Sequence, residues 1–161
     1  SYRIPSKLNR ELRGPARGEL VAQLCEQDPP PGVLAYDGDE PVGWAGVAPR
    51  ADLNSFARKS SRIPHVDDLP VWTIWCFRTV AGNRGRGIAH ALLDGAVAFA
   101  RSYGAPAVEG YPLDNRGERV DLTMGYVGTL SLFEQHGFTK VSDTDSVLDG
   151  FPRVLVRRDL G

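Results

Sequence analysis

The segment from residue 71 to residue 101 limits most strongly how this chain can fold. It begins with VWTIWCFRTV at 71–80, a β-branched and aromatic run that is typical of a strand near the middle of a sheet. The glycine-rich stretch AGNRGRG follows directly, and from Ile88 to Arg101 the apolar residues recur with helical spacing. A buried strand, a tight basic turn and an amphipathic helix in direct succession predict an α/β fold.

The turn in this segment has the composition of a phosphate-binding loop. Gly85 and Gly87 let the backbone approach a ligand, and the first N–H groups of the helix would point at that ligand with the positive end of the helix dipole. Arg84 and Arg86 add positive charge. The spacing matches neither GxxxxGK[ST] nor GxGxxG, but the six residues from Arg84 to Ala89 fit the pattern [Q/R]xxGx[G/A].

Glycine and proline divide the rest of the chain into short elements. We expect a weak helix within 11–27, strands at 33–36 and 42–47 joined by a turn at Asp37-Gly38, a short helix at 51–61, a loop at 63–70, a strand at 107–114, a polar loop at 115–124, a helix at 126–136 with a Schellman cap, and strands at 138–143 and 153–160. From Val33 onward, the predicted order is β-β-α-β-α-β-α-β-β.

These features together resemble the GCN5-related N-acetyltransferase (GNAT) superfamily, whose acetyl-coenzyme A signature is the same strand, [Q/R]xxGx[G/A] turn and helix. The stretch SLFEQHGF at 131–138 is similar to the lYekxGF segment of that superfamily. The resemblance implies a single-domain α/β fold with a mixed, mostly antiparallel central sheet flanked by helices and with splayed central strands that hold the cofactor. It implies one N-acetyltransferase domain over 1–161, with an N-terminal helical part at 1–31 and a cofactor-binding core at 32–161.

The same resemblance implies acetyl-CoA as the co-substrate and gives its binding residues. Backbone groups of one strand segment would pair with the pantetheine arm, the turn would hold the pyrophosphate, and two residues of the second helix would line the sulfur end. The strand segment is Phe77, Arg78 and Thr79, and the two residues of the second helix are Ser131 and Phe133. The residues of the turn are Arg84, Gly85, Arg86, Gly87, Ile88 and Ala89.

The sequence departs from the family pattern at the positions that would carry the acid and the base. Phe133 replaces the tyrosine that commonly protonates the departing thiolate, and Tyr126 stands where an asparagine is common, seven residues earlier. Phenylalanine cannot donate a proton, so Tyr126, Tyr111 or a water molecule must do so, and we assign Tyr126. The position of the catalytic glutamate in histone-type members is Thr73, which cannot act as a base at neutral pH.

Glu109 is the candidate general base, because it lies within the otherwise apolar run AVEGYPLD beside the central strand. An exposed or arginine-paired glutamate is the alternative. His65, Asp67 and Asp68 lie in the loop before the central strand, where they either border the acceptor pocket or face solvent.

Other polar and aromatic residues are assigned no chemistry. We interpret His90 and His136 as surface residues. Trp72 and Trp75 belong to the core, although one of them could wall the acceptor pocket. Cys25 and Cys76 lie in no CxxC or zinc-site spacing, so we expect two reduced thiols and no metal.

Charge and hydropathy narrow the function further. Nineteen Lys and Arg against 20 Asp and Glu give a net charge of -1, so we expect no nucleic-acid partner and no binding to an anionic membrane. The apolar runs are too short to span a bilayer and the first residues lack a signal-peptide core, which favours the cytoplasm. The resemblance implies an N-acetyltransferase that moves an acetyl group to a primary amine, on a small molecule or a peptide, in a ternary complex. The alternative is an acyl-CoA-binding module without transferase activity. The acceptor and the oligomeric state, a homodimer included, stay open.

Overall fold

The helices and strands follow from the local patterns in most places. The computed structural model describes residues 3–54, 62–121 and 124–161. Its helices are α1 (Ser6–Glu11), α2 (Pro15–Cys25), α3 (Ile88–Ser102) and α4 (Leu130–Gln135). Its strands are β1 (Gly32–Asp37), β2 (Glu40–Pro49), β3 (Trp72–Thr79), β4 (Ala107–Gly110), β5 (Thr139–Leu148) and β6 (Phe151–Asp159), and 3-10 turns occur at Arg50–Asp52 and Met124–Val127.

The six strands form one mixed sheet in the order β1-β2-β3-β4-β6-β5. Every neighbouring pair is antiparallel except β3 and β4, which are parallel and are joined through α3. The predicted α/β fold with a mostly antiparallel sheet is confirmed, and 71–80 is confirmed as an inner strand. Among the helices that the structure describes, none has both the length and the apolar character needed to cross a membrane.

Helix α3 covers one face of the sheet. It begins at Ile88 as predicted and buries a stripe that contacts β1, β2 and β3. The fully buried residues of that stripe are Leu92, Leu93, Ala96, Val97 and Ala100. Since a buried Leu contributes about 1.5–3 kcal/mol, this stripe is sufficient to fix the helix on the sheet and so to fix the turn that precedes it.

The central strands separate after only three residue pairs. β3 pairs with β4 from Trp72–Val108 to Ile74–Gly110, and β3 then continues to Thr79 along β2 alone. The ring of Phe133 lies at the point of separation, where a Cβ on Gly110 would come within 2.4 Å of that ring. Glycine at 110 is therefore required by the close approach, and the expected splay of the central strands is confirmed.

A bulge in β3 changes which side chains face which side of the sheet. Gly46 pairs with Cys76 and Val47 pairs with Ile74, so Trp75 is an extra residue without a partner on β2. Because a bulge shifts the two-residue alternation by one position, Cys76 follows Trp75 onto the face opposite α3. The side chains of Trp75, Cys76 and Arg78 consequently border the same cleft beside α1 and α2.

The second predicted helix is shorter than expected. The prediction of a helix at 126–136 is wrong at its start, because Gly128 adopts a φ of 79° and the helix begins only at Leu130. Thr129 caps that helix by accepting a hydrogen bond from the backbone N–H of Leu132. Tyr126 lies outside the helix, in the 3-10 turn before it.

The C-terminal end of α4 is as predicted. The backbone N–H of Phe138 donates to the carbonyl oxygen of Phe133 at 3.2 Å, and that of Gly137 donates to Glu134 at 3.1 Å. These two bonds define a Schellman motif, and the rings of Phe133 and Phe138 pack edge-to-face with centroids 5.0 Å apart. The cap fixes the position of Phe133 below the splayed strands.

Several other boundaries differ from the sequence-based prediction. The strand predicted at 107–114 ends at Gly110, where β4 leaves the sheet, and the last two strands are longer than predicted. The first hairpin turns at Gly38-Asp39, one residue later than predicted. Helix α1 was not predicted. Of the short helix predicted at 51–61, the structure has a 3-10 turn at Arg50–Asp52, and residues 55–61 lie outside the described residues.

Candidate active site

A cleft of about 580 Å³ opens where β3 and β4 separate, and we call it the splay cleft. Most of the predicted cofactor-binding residues line it, and Arg86, Ser131 and Phe133 do not. The lining residues are Phe77, Arg78, Thr79, Asn83, Arg84, Gly85, Gly87, Ile88, Ala89, His90, Gly125, Tyr126, Gly128, Thr129 and Leu132. The segment 125–129, which the sequence had suggested only at Tyr126, forms the wall opposite β3.

The turn before α3 presents backbone amides to this cleft. Gly87 is the N-cap residue with a φ of 75°, and the first helical bond runs from the N–H of Ala91 to the carbonyl of Gly87 at 3.1 Å. The amides of Ile88, Ala89 and His90 precede that bond, so they have no carbonyl partner within the helix. An anion in the splay cleft could accept hydrogen bonds from them at the positive end of the helix dipole.

Arg86 stabilises the turn from outside the cleft. Its guanidinium donates to Asn83 Oδ1 at 2.6 Å and to Asp37 Oδ2 at 2.7 Å. These bonds connect the turn to the β1–β2 hairpin. The side chain of Arg86 is thus directed away from the cleft, whereas Arg84 lines it and contributes its charge there.

A chain of side chains orients His90 at the edge of the splay cleft. His90 Nδ1 lies 2.8 Å from His136 Nε2, and His136 Nδ1 lies 2.6 Å from Asp94 Oδ1. This chain could not be predicted from the sequence, because His90 and His136 are 46 positions apart. The interaction holds the His90 ring beside the amides of the first turn.

A second cleft of about 500 Å³ lies on the other face of the sheet, between α1, α2 and strands β2 and β3, and we call it the α1–β3 cleft. Its lining residues are Ser6, Asn9, Arg10, Val21, Leu24, Pro31, Trp44, Asn54, Trp75, Cys76, Arg78 and Tyr126. Sequence reasoning missed Arg10, Trp44 and Asn54, and it considered only Trp72 and Trp75 as a wall. Of these two tryptophans, Trp75 borders this cleft and Trp72 lies in the core against α3.

The two clefts share Arg78 and Tyr126. The guanidinium carbon of Arg78 lies 5.2 Å from the centre of the Tyr126 ring, which is a cation–π contact. A molecule in the splay cleft and a molecule in the α1–β3 cleft would therefore approach each other at this pair. Tyr126 is the one tyrosine among the predicted acid candidates that lines a cleft, since Tyr111 is buried in the core.

Cys76 borders the α1–β3 cleft as a neutral thiol. Its side chain is half-buried, and burial raises the pKa of the thiol above its usual value. A thiol with a raised pKa is protonated at neutral pH and is a weak nucleophile. The structure therefore gives no support to an acyl-cysteine intermediate at this position.

Glu109 lies in a buried cluster of charges at the base of the splay. Its Oε2 accepts a hydrogen bond from Arg50 at 3.1 Å, and its Oε1 accepts two from Arg157 at 3.1 and 2.6 Å. The carboxylate is fully buried and lines neither cleft. Glu109 is thus paired with arginines, which was the alternative to a catalytic role, and its role as general base stays a prediction.

The loop before β3 contributes to the same cluster. Arg157 also donates to both carboxylate oxygens of Asp67, at 2.5 and 3.0 Å, and hydrogen bonding from Arg157 is the main cause that lowers the pKa of Asp67 to about 2. His65 and Asp68 line a shallow depression beside Arg50. Tyr111 lies close to Glu109, and burial together with that carboxylate raises the pKa of its phenol, which is therefore protonated at neutral pH.

Comparison with known proteins identifies the class to which this fold and these clefts belong. The model of the Acetyltransferase (GNAT) family matches residues 2–116. The chain therefore belongs to the GNAT acetyltransferase family, and it is an acyltransferase. Among curated proteins of assigned function, none matches the sequence significantly.

Solved structures of acetyltransferases share the fold at low sequence identity. A chain of the NatC complex bound to Gag peptide and CoA is 16% identical, with 99% of this chain and 89% of that chain covered and a TM-score of 0.59. The ribosomal-protein-alanine N-acetyltransferase from Brucella melitensis is 15% identical, with 89% and 76% covered and a TM-score of 0.58. A structure described as histone acetyltransferase HPA2 and related acetyltransferase from Corynebacterium glutamicum is 20% identical, with 96% and 82% covered and a TM-score of 0.55. At these identities, the similarity establishes the fold.

Proposed function

We propose that this enzyme transfers the acetyl group of acetyl-CoA to a primary amine by direct attack within a ternary complex. The observation that carries the proposal is the pair of clefts that share Arg78 and Tyr126. A donor in the splay cleft and an acceptor in the α1–β3 cleft would bring the thioester and the amine together there. The amine nitrogen forms the new bond to the carbonyl carbon, the C–S bond breaks, and the amine loses a proton while the CoA thiolate gains one.

The residues around the splay cleft fit acetyl-CoA. The edge of β3 beyond Ile74 has no β4 partner, so backbone groups of Phe77, Arg78 and Thr79 are available to the pantetheine arm on that side. The first-turn amides of α3 would donate hydrogen bonds to the pyrophosphate, with Arg84 as an additional cation. Phe133 does not line the cleft itself, but its buried ring supports two residues that do, Gly128 and Phe77. Ser131 lies on the exposed side of α4.

The proposed proton transfers divide between two groups. Tyr126 is the proposed donor to the departing thiolate, since its ring lines both clefts. Glu109 is the proposed acceptor of the amine proton, and because it lines neither cleft the proton would reach it through water. The neutral thiol of Cys76 supports attack by the amine itself without a covalent enzyme intermediate. We also propose that residues 1–161 act as one acetyltransferase domain on a small-molecule or peptide acceptor.

Acetyl transfer is tested by following free CoA thiol and acetylated product with a panel of primary amines. We expect thiol release that depends on the amine and that equals product formed, above the hydrolysis seen without amine. CoA binding without amine-dependent thiol release from any member of the panel would favour the alternative function, an acyl-CoA-binding module.

Tyr126→Phe tests the proposed acid. The substitution keeps the ring against Arg78 and removes only the hydroxyl, so we expect the turnover number to fall by about 10-fold or more while CoA affinity is unchanged. A water molecule would replace part of the lost proton transfer, which sets the lower end of that range. Tyr36→Phe is the matched control, because Tyr36 is exposed on β1. Unchanged turnover in Tyr126→Phe at saturating substrates would exclude the tyrosine as the acid.

A further inference from the structure

The charges of the α1–β3 cleft define the chemical class of the acceptor. We propose that the acceptor is a small amine that carries a carboxylate, namely an amino acid with an apolar or aromatic side chain, and that cationic amines are rejected. This inference rests on the proposed function, in which the α1–β3 cleft receives the acceptor.

Among the described residues that line the cleft, the charged side chains are all positive. Arg10 and Arg78 are both exposed guanidinium groups on its wall, and among the described lining residues there is no Asp or Glu. A diamine, a polyamine or a lysine-rich peptide would bring a second positive charge against these guanidiniums without a carboxylate to receive it. A carboxylate would instead be attracted by both.

Arg10 and Arg78 differ from Arg50, Arg86 and Arg157, whose charges are already compensated by carboxylates. Arg50 and Arg157 share Glu109, and Arg86 pairs with Asp37 at 2.7 Å. Within the part of the chain that the structure describes, no carboxylate forms an ion pair with Arg10 or Arg78. Their donors therefore remain available to a ligand.

The geometry of Arg78 suits a carboxylate close to the reacting nitrogen. Its guanidinium lies over the ring of Tyr126 in a cation–π contact, and such a contact occupies none of its N–H donors with an oxygen acceptor. Two of these donors match the two oxygens of a carboxylate. Since Arg78 lies where the clefts meet, an α-carboxylate held there leaves the α-amine beside the expected thioester.

The positive lining also favours the chemistry of the attack. An amine must be neutral when it attacks, and nearby positive charge disfavours the ammonium form. The cleft thus lowers the proton affinity of the bound amine at the same time as it attracts the carboxylate.

The remaining lining residues of the α1–β3 cleft fit an apolar side chain of limited size. Trp44 and Trp75 supply aromatic surface from the sheet, and Val21, Leu24 and Pro31 supply aliphatic surface opposite. A volume of about 500 Å³ lies within the range of small-molecule sites, which span about 300–1,000 Å³. An amino acid with a large apolar side chain matches the positive charge, the apolar walls and the volume of the α1–β3 cleft.

The test compares each apolar amino acid with its amide as acceptors for the wild-type enzyme. Amidation removes the carboxylate and makes the α-amine easier to deprotonate, so intrinsic reactivity favours the amide. We nevertheless expect kcat/KM to be at least about 10-fold higher for the free acid, through KM. In Arg10→Gln and Arg78→Gln this ratio should fall toward one, and Arg101→Gln, which alters an exposed arginine in the last turn of α3, should leave it unchanged.

Each possible result of this comparison either supports or overturns the proposed acceptor class. Equal or better use of the amides, or preferred use of diamines, would overturn the inference while leaving the proposed acetyl transfer intact. Thiol release from no amine at all would overturn both. Because the acid-to-amide ratio of the wild type is measured first, the inference stays testable even if an arginine variant does not fold.

Discussion

Replacing Gly87 with valine should raise the dissociation constant for CoA by about 100-fold or more, which corresponds to about 2.7 kcal/mol. Gly87 has a φ of 75°, a conformation that costs a branched residue about 1–3 kcal/mol. The valine side chain would also extend into space that is now open beside the first-turn amides, where the pyrophosphate is proposed to bind. Calorimetric titration of CoA into the folded variant measures the effect.

Gly104 provides a matched control for the backbone strain. It follows α3, has a φ of 73° and has no atom within 4 Å of a Cβ placed on it. Gly104→Val therefore incurs a comparable backbone cost outside the splay cleft, and its CoA affinity should equal that of the wild type. If Gly87→Val bound CoA as tightly as Gly104→Val, the turn at 84–89 would not be the cofactor site.

Glu109→Gln should destabilise the protein by about 3 kcal/mol, which lowers the melting temperature by roughly 6 to 12 °C. Glutamine preserves the shape of the side chain but not its charge, so Arg50 and Arg157 would lose the anion that they share in a buried cluster. We also expect the turnover number of the folded variant to fall about 100-fold with the KM for acetyl-CoA nearly unchanged, as the loss of a general base requires.

The stability and the turnover of this variant answer separate questions. Full turnover in a destabilised variant would exclude Glu109 as the base and leave it a structural role, whereas an unchanged melting temperature would contradict the buried cluster itself. Asp67→Asn is the control, because Asp67 also pairs with Arg157 but its side chain is 38% exposed. A solvent-screened pair contributes little, so this variant should melt close to the wild type at neutral pH.

Most of the structural features that depend on neighbouring residues in the chain could be predicted from the sequence. The strand at 71–80, the turn and α3 follow one another within 32 positions of the chain, and each has its own signal in composition or periodicity. The Schellman cap of α4 was predictable for the same reason, because Gly137 and Phe138 follow directly on the helix that they end.

Features that depend on distant residues were not predictable in this way. Arg50 and Arg157 lie 59 and 48 positions from Glu109, so its pairing required the sheet order. The bulge at Trp75 depends on register with β2, and without it the alternation would place Cys76 on the α3 face. The late start of α4 had a local signal in Gly128, but the apolar periodicity of 126–136 outweighed it in the prediction.

The ring of Phe133 keeps the splay cleft open. A buried aromatic group between β3 and β4 keeps the strands apart whether or not a ligand is present, since closing the gap would require that ring to leave the core. The cleft is therefore preorganised, and an incoming ligand does not have to separate the strands before it can bind. In the proposed mechanism, support of the cleft and proton donation are therefore separate tasks, the first performed by Phe133 and the second by Tyr126 in the turn that precedes α4.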